Sequence, residues 1–298
     1  MYSLFIVWYL FLAGMGSGAY VLAAIFGFAG GRSRAKGLRE YREITRGGFY
    51  LGPLLVMFGA VFLIFDLGSP EKAYRLFLST RFTYLTFGSW VVLVFCLLAA
   101  ALALLRSTDR VRLPRPVFKT LELIAATCAL GIMGYTGLFL SSMPSIPFLN
   151  SPLIVVLLIV SSLATGSALI ALYGFFNQQR KSMFFGSRII VRIDLVLIFI
   201  EILILAALIV ASCFGGDLSA ASVGVLLAGA GAPAFWFGVV LLGLAVPCVV
   251  GMLGRQSSHM VNQAISSTAV LLGGLALRYA LITAGLHVAD TPVLLLSG

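Results

Sequence analysis

Hydrophobic positions dominate this chain in long unbroken runs, at approximately 4–29, 48–65, 84–105, 119–141, 152–176, 189–213, 235–253 and 265–285. Each run is close to the ~20 residues that carry an α-helix across a hydrocarbon core. Such a core offers no water to stray backbone N–H and C=O groups, so helices with internal hydrogen bonds are the expected form. The pattern therefore predicts an all-α integral membrane protein of eight spans. Two four-helix bundles in a single polytopic domain, 1–298, are the simplest grouping. The first run has no basic segment before it and exceeds the apolar core of a signal peptide, so it reads as a mature span.

Composition supports lipid as the solvent. Of 298 residues, 61% are hydrophobic and 10% charged, and mean hydropathy is +1.09. Soluble domains carry about 25% charged residues, so an ordinary globular enzyme is excluded. The net charge of +10 is concentrated in four connections. Arg32, Arg34, Lys36, Arg39, Arg42 and Arg46 follow the first run, and Arg106, Arg110, Arg112, Arg115 and Lys119 lie between the third and fourth. Arg180, Lys181 and Arg188 follow the fifth, and Arg255 the seventh. These connections alternate onto one face, while the opposite face carries Lys72, Arg75 and Arg81. Lys/Arg-rich loops stay cytoplasmic, so both termini are expected outside. The same placement sets basic residues against an anionic leaflet and leaves no basic domain for nucleic acid.

Gly16-Ser17-Gly18-Ala19 in the first run is echoed by Gly166-Ser167-Ala168 in the fifth. Duplicated parallel halves, about 1–145 and 146–298, and plain small-residue packing between helices both account for it. The segment Gly14-Met15-Gly16-Ser17-Gly18 follows no strand, so it is not a dinucleotide fingerprint and reads as close helix packing.

Ionisable groups within lipid are expensive and mark candidate chemistry. They are Glu122, Arg192, Asp194, Glu201 and Arg278, with Asp66 at a helix end. A rise of 1.5 Å per residue sets Asp194 about 7 Å, Glu201 about 18 Å and Arg278 about 20 Å from the cytoplasmic face. Asp194 and Glu201 are seven residues apart and share a helix face. Two readings stand: a structural Glu201–Arg278 ion pair, or a proton path through Glu201 and Asp194. Glu122 is either the entrance to that path or a group snorkelling at the membrane surface. Arg192 reads as a snorkelling anchor.

Near the outer face, Asp66 precedes the helix-breaking Gly68-Ser69-Pro70, and Tyr135 lies within Gly134-Tyr135-Thr136-Gly137. Tyr9 is at similar depth, as an interfacial aromatic or a ligand. A phenol, a carboxylate and the Arg278 guanidinium around an apolar slot suit a quinone, whose oxygens need hydrogen bonds.

The only histidines, His259 and His287, fall outside the runs, so a bis-histidine haem is not expected. Cys96, Cys128, Cys213 and Cys248 are far apart, giving no zinc or iron–sulfur spacing, and read as small buried hydrophobes. No metal site is expected.

The chain resembles the NrfD family of polysulfide-reductase-type membrane subunits. The likeness rests on Trp8-Tyr9-Leu10-Phe11-Leu12-Ala13-Gly14-Met15-Gly16-Ser17-Gly18, on Asp66-Leu67-Gly68-Ser69-Pro70 and on Gly134-Tyr135-Thr136-Gly137. It continues in Arg192-Ile193-Asp194 with Glu201, and in Gly273-Gly274-Leu275-Ala276-Leu277-Arg278-Tyr279. The resemblance implies a haem-free, menaquinone-reactive anchor in a bacterial cytoplasmic membrane. This is a subunit of an oxidoreductase complex rather than a stand-alone enzyme. Its implied partners are a ferredoxin-like subunit with [4Fe-4S] clusters and a molybdopterin catalytic subunit. The family's pocket tyrosine corresponds to Tyr135. Its pocket histidine is replaced by Tyr9, and Asp66 stands near the position of its glutamate. Loops 66–83, 142–151 and 214–234, with Lys72, Arg75 and Arg81, form the expected docking surface. The sequence leaves a homodimer of the complex open. A small secondary transporter and a structural anchor without quinone chemistry are the rival readings.

Overall fold

The computed structural model describes residues 4–30, 38–66, 84–107, 114–142, 146–176, 184–253 and 259–289. Among them every regular element is helical: α1 (Leu4–Gly30), α2 (Leu38–Asp66), α3 (Tyr84–Ser107), α4 (Arg115–Ser141), α5 (Pro152–Phe176), α6 (Phe184–Phe214) and α7 (Asp217–Ala228). A π-helical segment, Ala234–Ala245, runs directly into α8 (Val246–Leu253), and α9 (His259–Ala289) follows. Eight of these helical stretches are long and apolar enough to cross a membrane, the seventh being Ala234–Gly251. An even number of crossings brings both ends of the described chain to one face, here called the N-terminal face.

Most helices outrun the apolar segments that specify them. The start of α2 at Leu38 falls within the basic stretch after α1, ten residues before the apolar run begins. Pro114 caps α4, where a missing N–H costs nothing. The stretch 214–234, expected as a loop, contains α7 instead, entered through Gly216 with φ 109°. That left-handed backbone turn is open to glycine without a Cβ clash.

The packing is centred on α1. In an 18-residue stretch of its Leu4–Phe28 span 89% of the residues are buried within the protein, against 22% in Ala234–Gly251. It touches α2, α4, α5 and α9; α2 and α4 each also pack on α3, while α5 packs on α6 and α9. The π segment and α8 lie against α9, and α8 also meets α6. Large apolar side chains such as Phe58, Leu97, Phe199 and Phe237 are exposed. In lipid that exposure carries no hydrophobic penalty.

Small residues set the approach of α1 to its neighbours. A Cβ on Gly18 would run into the Ser162 backbone of α5, and one on Gly166 would run into Gly18 and Ala19. The two echoed small-residue segments thus meet each other at the α1–α5 crossing. Gly16 faces the other way, toward Gly52 and Val56 of α2. Close packing is the role expected for this glycine run, and glycine lets helix backbones approach in a membrane.

Between α4 and α5, Ile146, Phe148 and Leu149 are buried, and a Cβ on Gly285 of α9 would meet Leu149 and Ile146. The apolar side chains of this connection pack inward.

Candidate functional site

The wall formed by α1 separates two polar regions. At 100° per residue, Tyr9, Gly16 and Tyr20 share one side of the helix, while Phe11, Gly14 and Gly18 share the other. The first side faces α2, α3 and α4; the other faces α5 and α9.

On the first side, Tyr9 of α1 and Tyr135 of α4 are close enough to interact through their phenols, and Cys96 of α3 lies beside Tyr9. Tyr135 also fills the space that a Cβ on Gly88 of α3 would occupy. Both rings are buried, at 1% and 2% exposure, so Tyr9 is not an interfacial aromatic. Neither hydroxyl has a partner with hydrogen-bond geometry among the described residues. Buried polar atoms are nearly always paired, and each phenol can both donate and accept. Five residues from the start of α1 and six from the end of α4, the pair lies within about two turns of the N-terminal face. Asp66 ends α2 at the same face, but its side chain lies outside the described residues, as do Lys72, Arg75 and Arg81.

On the other side is a deeply engaged charge. Arg278 of α9 is 1% exposed. Its Nε donates to the Leu10 carbonyl (3.1 Å), Nη1 to the Gly274 carbonyl (2.7 Å) and the Ser161 hydroxyl (3.3 Å), and Nη2 to the Ser162 hydroxyl (3.2 Å). Its guanidinium carbon also stands 5.7 Å from the Phe11 ring centroid. Glycine makes the room, since a Cβ on Gly14 would come within 2.8 Å of Nη2 and within 2.6 Å of the Ser162 hydroxyl.

Glu201 of α6 lies beside Ser161, within electrostatic range of Arg278. The two make no direct ion pair among the described residues, which corrects the structural-pair reading. Arg278 is occupied by backbone carbonyls and serines, and Ser161 stands between it and Glu201. Glu201, Ser161 and Thr165 line a small pocket with Val239 and Gly243 of the π segment and Gly274 of α9. Seven residues toward the opposite face along α6, Asp194 accepts a hydrogen bond from Ser167 of α5. The α5–α6 contact therefore carries two carboxylate–hydroxyl pairs, Glu201 with Ser161 and Asp194 with Ser167.

Several sequence-derived groupings separate in space. Arg278 does not join Tyr9 and Tyr135, because α1 stands between them. Glu122 of α4 is ion-paired with Arg106 of α3. The Arg106 guanidinium stacks 3.5 Å from the Phe49 centroid, in the neighbourhood of Tyr20. Glu122 thus belongs to the α1–α4 side and not to the α5–α6 contact of Asp194 and Glu201. Arg192 is exposed, as an anchor would be. Cys96, Cys128 and Cys248 are half-buried, but Cys213 is exposed near the end of α6 rather than buried. Among the described residues no three His, Cys, Asp or Glu side chains gather as a metal-binding group.

Reading charges alone missed Ser161, Ser162, Thr165 and Ser167, four buried hydroxyls in seven residues of an apolar span. Their density was the available signal.

The family model described as polysulphide reductase, NrfD, matches residues 1–289. The chain belongs to the NrfD family. The C chain of polysulfide reductase from Wolinella succinogenes is 29% identical over 93% of this protein and 92% of its own length. Protein NrfD of Escherichia coli strain K12 is 28% identical, with 93% and 92% covered. An NrfD homolog of Haemophilus influenzae is 25% identical over the same shares. As an NrfD-family member with eight apolar spans, this is a multi-pass membrane protein, and the two regions flanking α1 are the places to seek its chemistry.

Proposed function

We propose that the protein is the quinone-reactive membrane anchor of an oxidoreductase complex in a bacterial cytoplasmic membrane. Menaquinol, or a related quinol, is its substrate, and the N-terminal face is the outer face. The observation that carries this reading is the Tyr9–Tyr135 pair: two adjacent buried phenols, from α1 and α4, whose hydroxyls lack partners among the described residues. A quinol oxygen must lose its proton as its electrons leave. A quinone oxygen must gain one. A phenol that both accepts and donates serves either direction, and Asp66 at the end of α2 is the candidate acceptor next in line. Low dielectric around the rings strengthens any hydrogen bond made there.

The electrons pass to a partner that contacts the outer face. The likeness to the polysulfide reductase C chain and to NrfD supports a ferredoxin-like subunit with [4Fe-4S] clusters, followed by a molybdopterin catalytic subunit. Lys72, Arg75 and Arg81 are assigned to that docking face, where charge complementarity guides association. Protons are assigned to the opposite side of α1, where Glu201 and Asp194 are held by Ser161 and Ser167 two helical turns apart.

The test is quinol oxidation by the intact complex carrying Tyr135→Phe or Tyr9→Phe. Assembly with loss of turnover supports the site. Wild-type turnover in both variants contradicts it and leaves a structural anchor. Purification from the native membrane in isolation, with no redox partner, would instead support a transporter.

A further inference from the structure

Among the described residues, Arg278 connects the two regions through hydrogen bonds. Its Nε bonds the carbonyl of Leu10, the residue that follows Tyr9. Its Nη1 bonds Ser161, which lies beside Glu201. The other donors bond Gly274 and Ser162, so the guanidinium is fixed on α1, α5 and α9 together. The same guanidinium thus bonds the first turns of α1 and the Ser161 hydroxyl of α5. The fit is tight on the α1 side as well, because only a glycine at position 14 clears Nη2 and the Ser162 hydroxyl. Arginine suits this position because its planar fork keeps its charge and holds several acceptors in fixed directions.

We propose that Arg278 is a positioning residue that couples quinone chemistry at Tyr9 and Tyr135 to proton exchange at Glu201, acting through Leu10 on one side and Ser161 on the other. This rests on the reading of the two phenols as quinone ligands and of Glu201 as a proton carrier. Each quinol oxidised releases two electrons to the one-electron iron–sulfur acceptors of the partner and two protons from its hydroxyls. At Glu201 the carboxyl O–H bond breaks as a proton is passed on and re-forms when the next arrives. Arg278 neither gains nor loses a proton. It sets where Ser161 stands, and so whether Glu201 has a hydroxyl beside it when α1 shifts.

The experiment uses the whole complex reconstituted into liposomes. Reduced 2,3-dimethyl-1,4-naphthoquinone is the electron donor, and a pH-sensitive dye inside reports proton movement. The readout is protons moved per quinol oxidised, a ratio already corrected for any loss of protein or turnover. Ser161→Ala is expected to lower that ratio about twofold or more, within the usual range of energetic coupling between sites. Ser161→Thr, which restores the hydroxyl, should recover it. Gly14→Ala, which removes no polar group but crowds Nη2, should lower it in the same direction. An unchanged ratio in both Ser161→Ala and Gly14→Ala overturns the link while leaving the quinone site intact. A wild-type complex that oxidises quinol and moves no protons beyond the quinol's own overturns the Glu201 reading, and the link with it. Wild-type quinol oxidation in both Tyr135→Phe and Tyr9→Phe is the separate mark that the quinone reading has failed.

Discussion

The two sides of α1 hold polar groups of opposite condition. Toward α5 and α9, each nitrogen of the Arg278 guanidinium has found an acceptor, and Asp194 accepts from Ser167. Toward α3 and α4, Tyr9 and Tyr135 are as deeply buried yet their hydroxyls are unpartnered among the described residues. In hydrocarbon both conditions cost free energy, but only the first recovers it within the protein. A fully bonded group holds helices together. On the proposed reading, the pair of buried phenols takes a ligand whose own oxygens complete the bonding. Tyr20, three turns further along the same side of α1, provides the internal control. Among the described residues its hydroxyl is also unpartnered, its ring is packed edge-on against Phe49 and Phe95, and no second phenol contacts it.

The sharpest way to break this contrast is to remove the engaged charge. Arg278→Leu removes the bonds to Leu10, Ser161 and Ser162, and hydrogen bonds made by a charged group are worth about 1.5–3 kcal/mol each. The expected result is a steep drop in the detergent melting temperature and in recovered complex. A normal melting temperature would mean that the α1–α5–α9 contact is not held by this residue.

Removing the unengaged hydroxyl should do the reverse. Tyr135→Phe is expected to change stability by under about 1 kcal/mol, since among the described residues its hydroxyl has no well-formed hydrogen bond to lose. Quinol turnover should fall about 100-fold or more, the usual scale for a lost proton-transfer group. Tyr20→Phe should leave turnover near wild type. If Tyr20→Phe and Tyr135→Phe have equal effects, facing phenols are not the distinguishing feature.

Crowding the wall itself should fall between these. Gly18→Ala pushes a methyl group into the Ser162 backbone, and overpacking costs about 1–3 kcal/mol. Thermal unfolding in detergent reads this directly. Gly134→Ala, at a site with open space around it, is the matched control.

The smallest effect belongs to the peripheral pair. Arg106 and Glu122 keep 19% and 15% of their side chains exposed, and Gln retains an acceptor for Arg106, so Glu122→Gln should cost about 1 kcal/mol. Added salt should shrink even that difference. Loss of proton movement in Glu122→Gln would instead return Glu122 to the proton path, against its position on α4 beside Arg106.

Hydropathy made the eight spans legible, because a run of about 20 apolar residues has few alternatives to a membrane helix. It is blind to winding within a span. Nothing in Ala234–Ala245 signals a π-helix, since composition does not distinguish i→i+5 from i→i+4 bonding. Depth along each helix was legible too, which placed Tyr9 and Tyr135 together. Direction around the axis entered only for Asp194 and Glu201, although in α1 it separates the two polar regions. The 3.6-residue period already puts Tyr9 and Gly14 on different faces of α1, but only packing identifies which neighbour each face meets. Glu122 was grouped with Asp194 and Glu201 by charge type, whereas proximity gives it to Arg106. The buried serines of α5 went unweighed because a hydroxyl in an apolar run usually bonds its own helix, as Ser17 does with Ala13.

The most direct measurement is photolabelling of the purified complex with an azido-naphthoquinone, mapping the attachment by mass spectrometry. Label on the α1 and α4 peptides around Tyr9 and Tyr135, displaced by excess quinone, is the expected result. Displaceable label on the π segment or α9 beside Val239 and Gly274, with none on α1 or α4, would move the quinone to the Glu201 pocket and contradict the division of labour across α1.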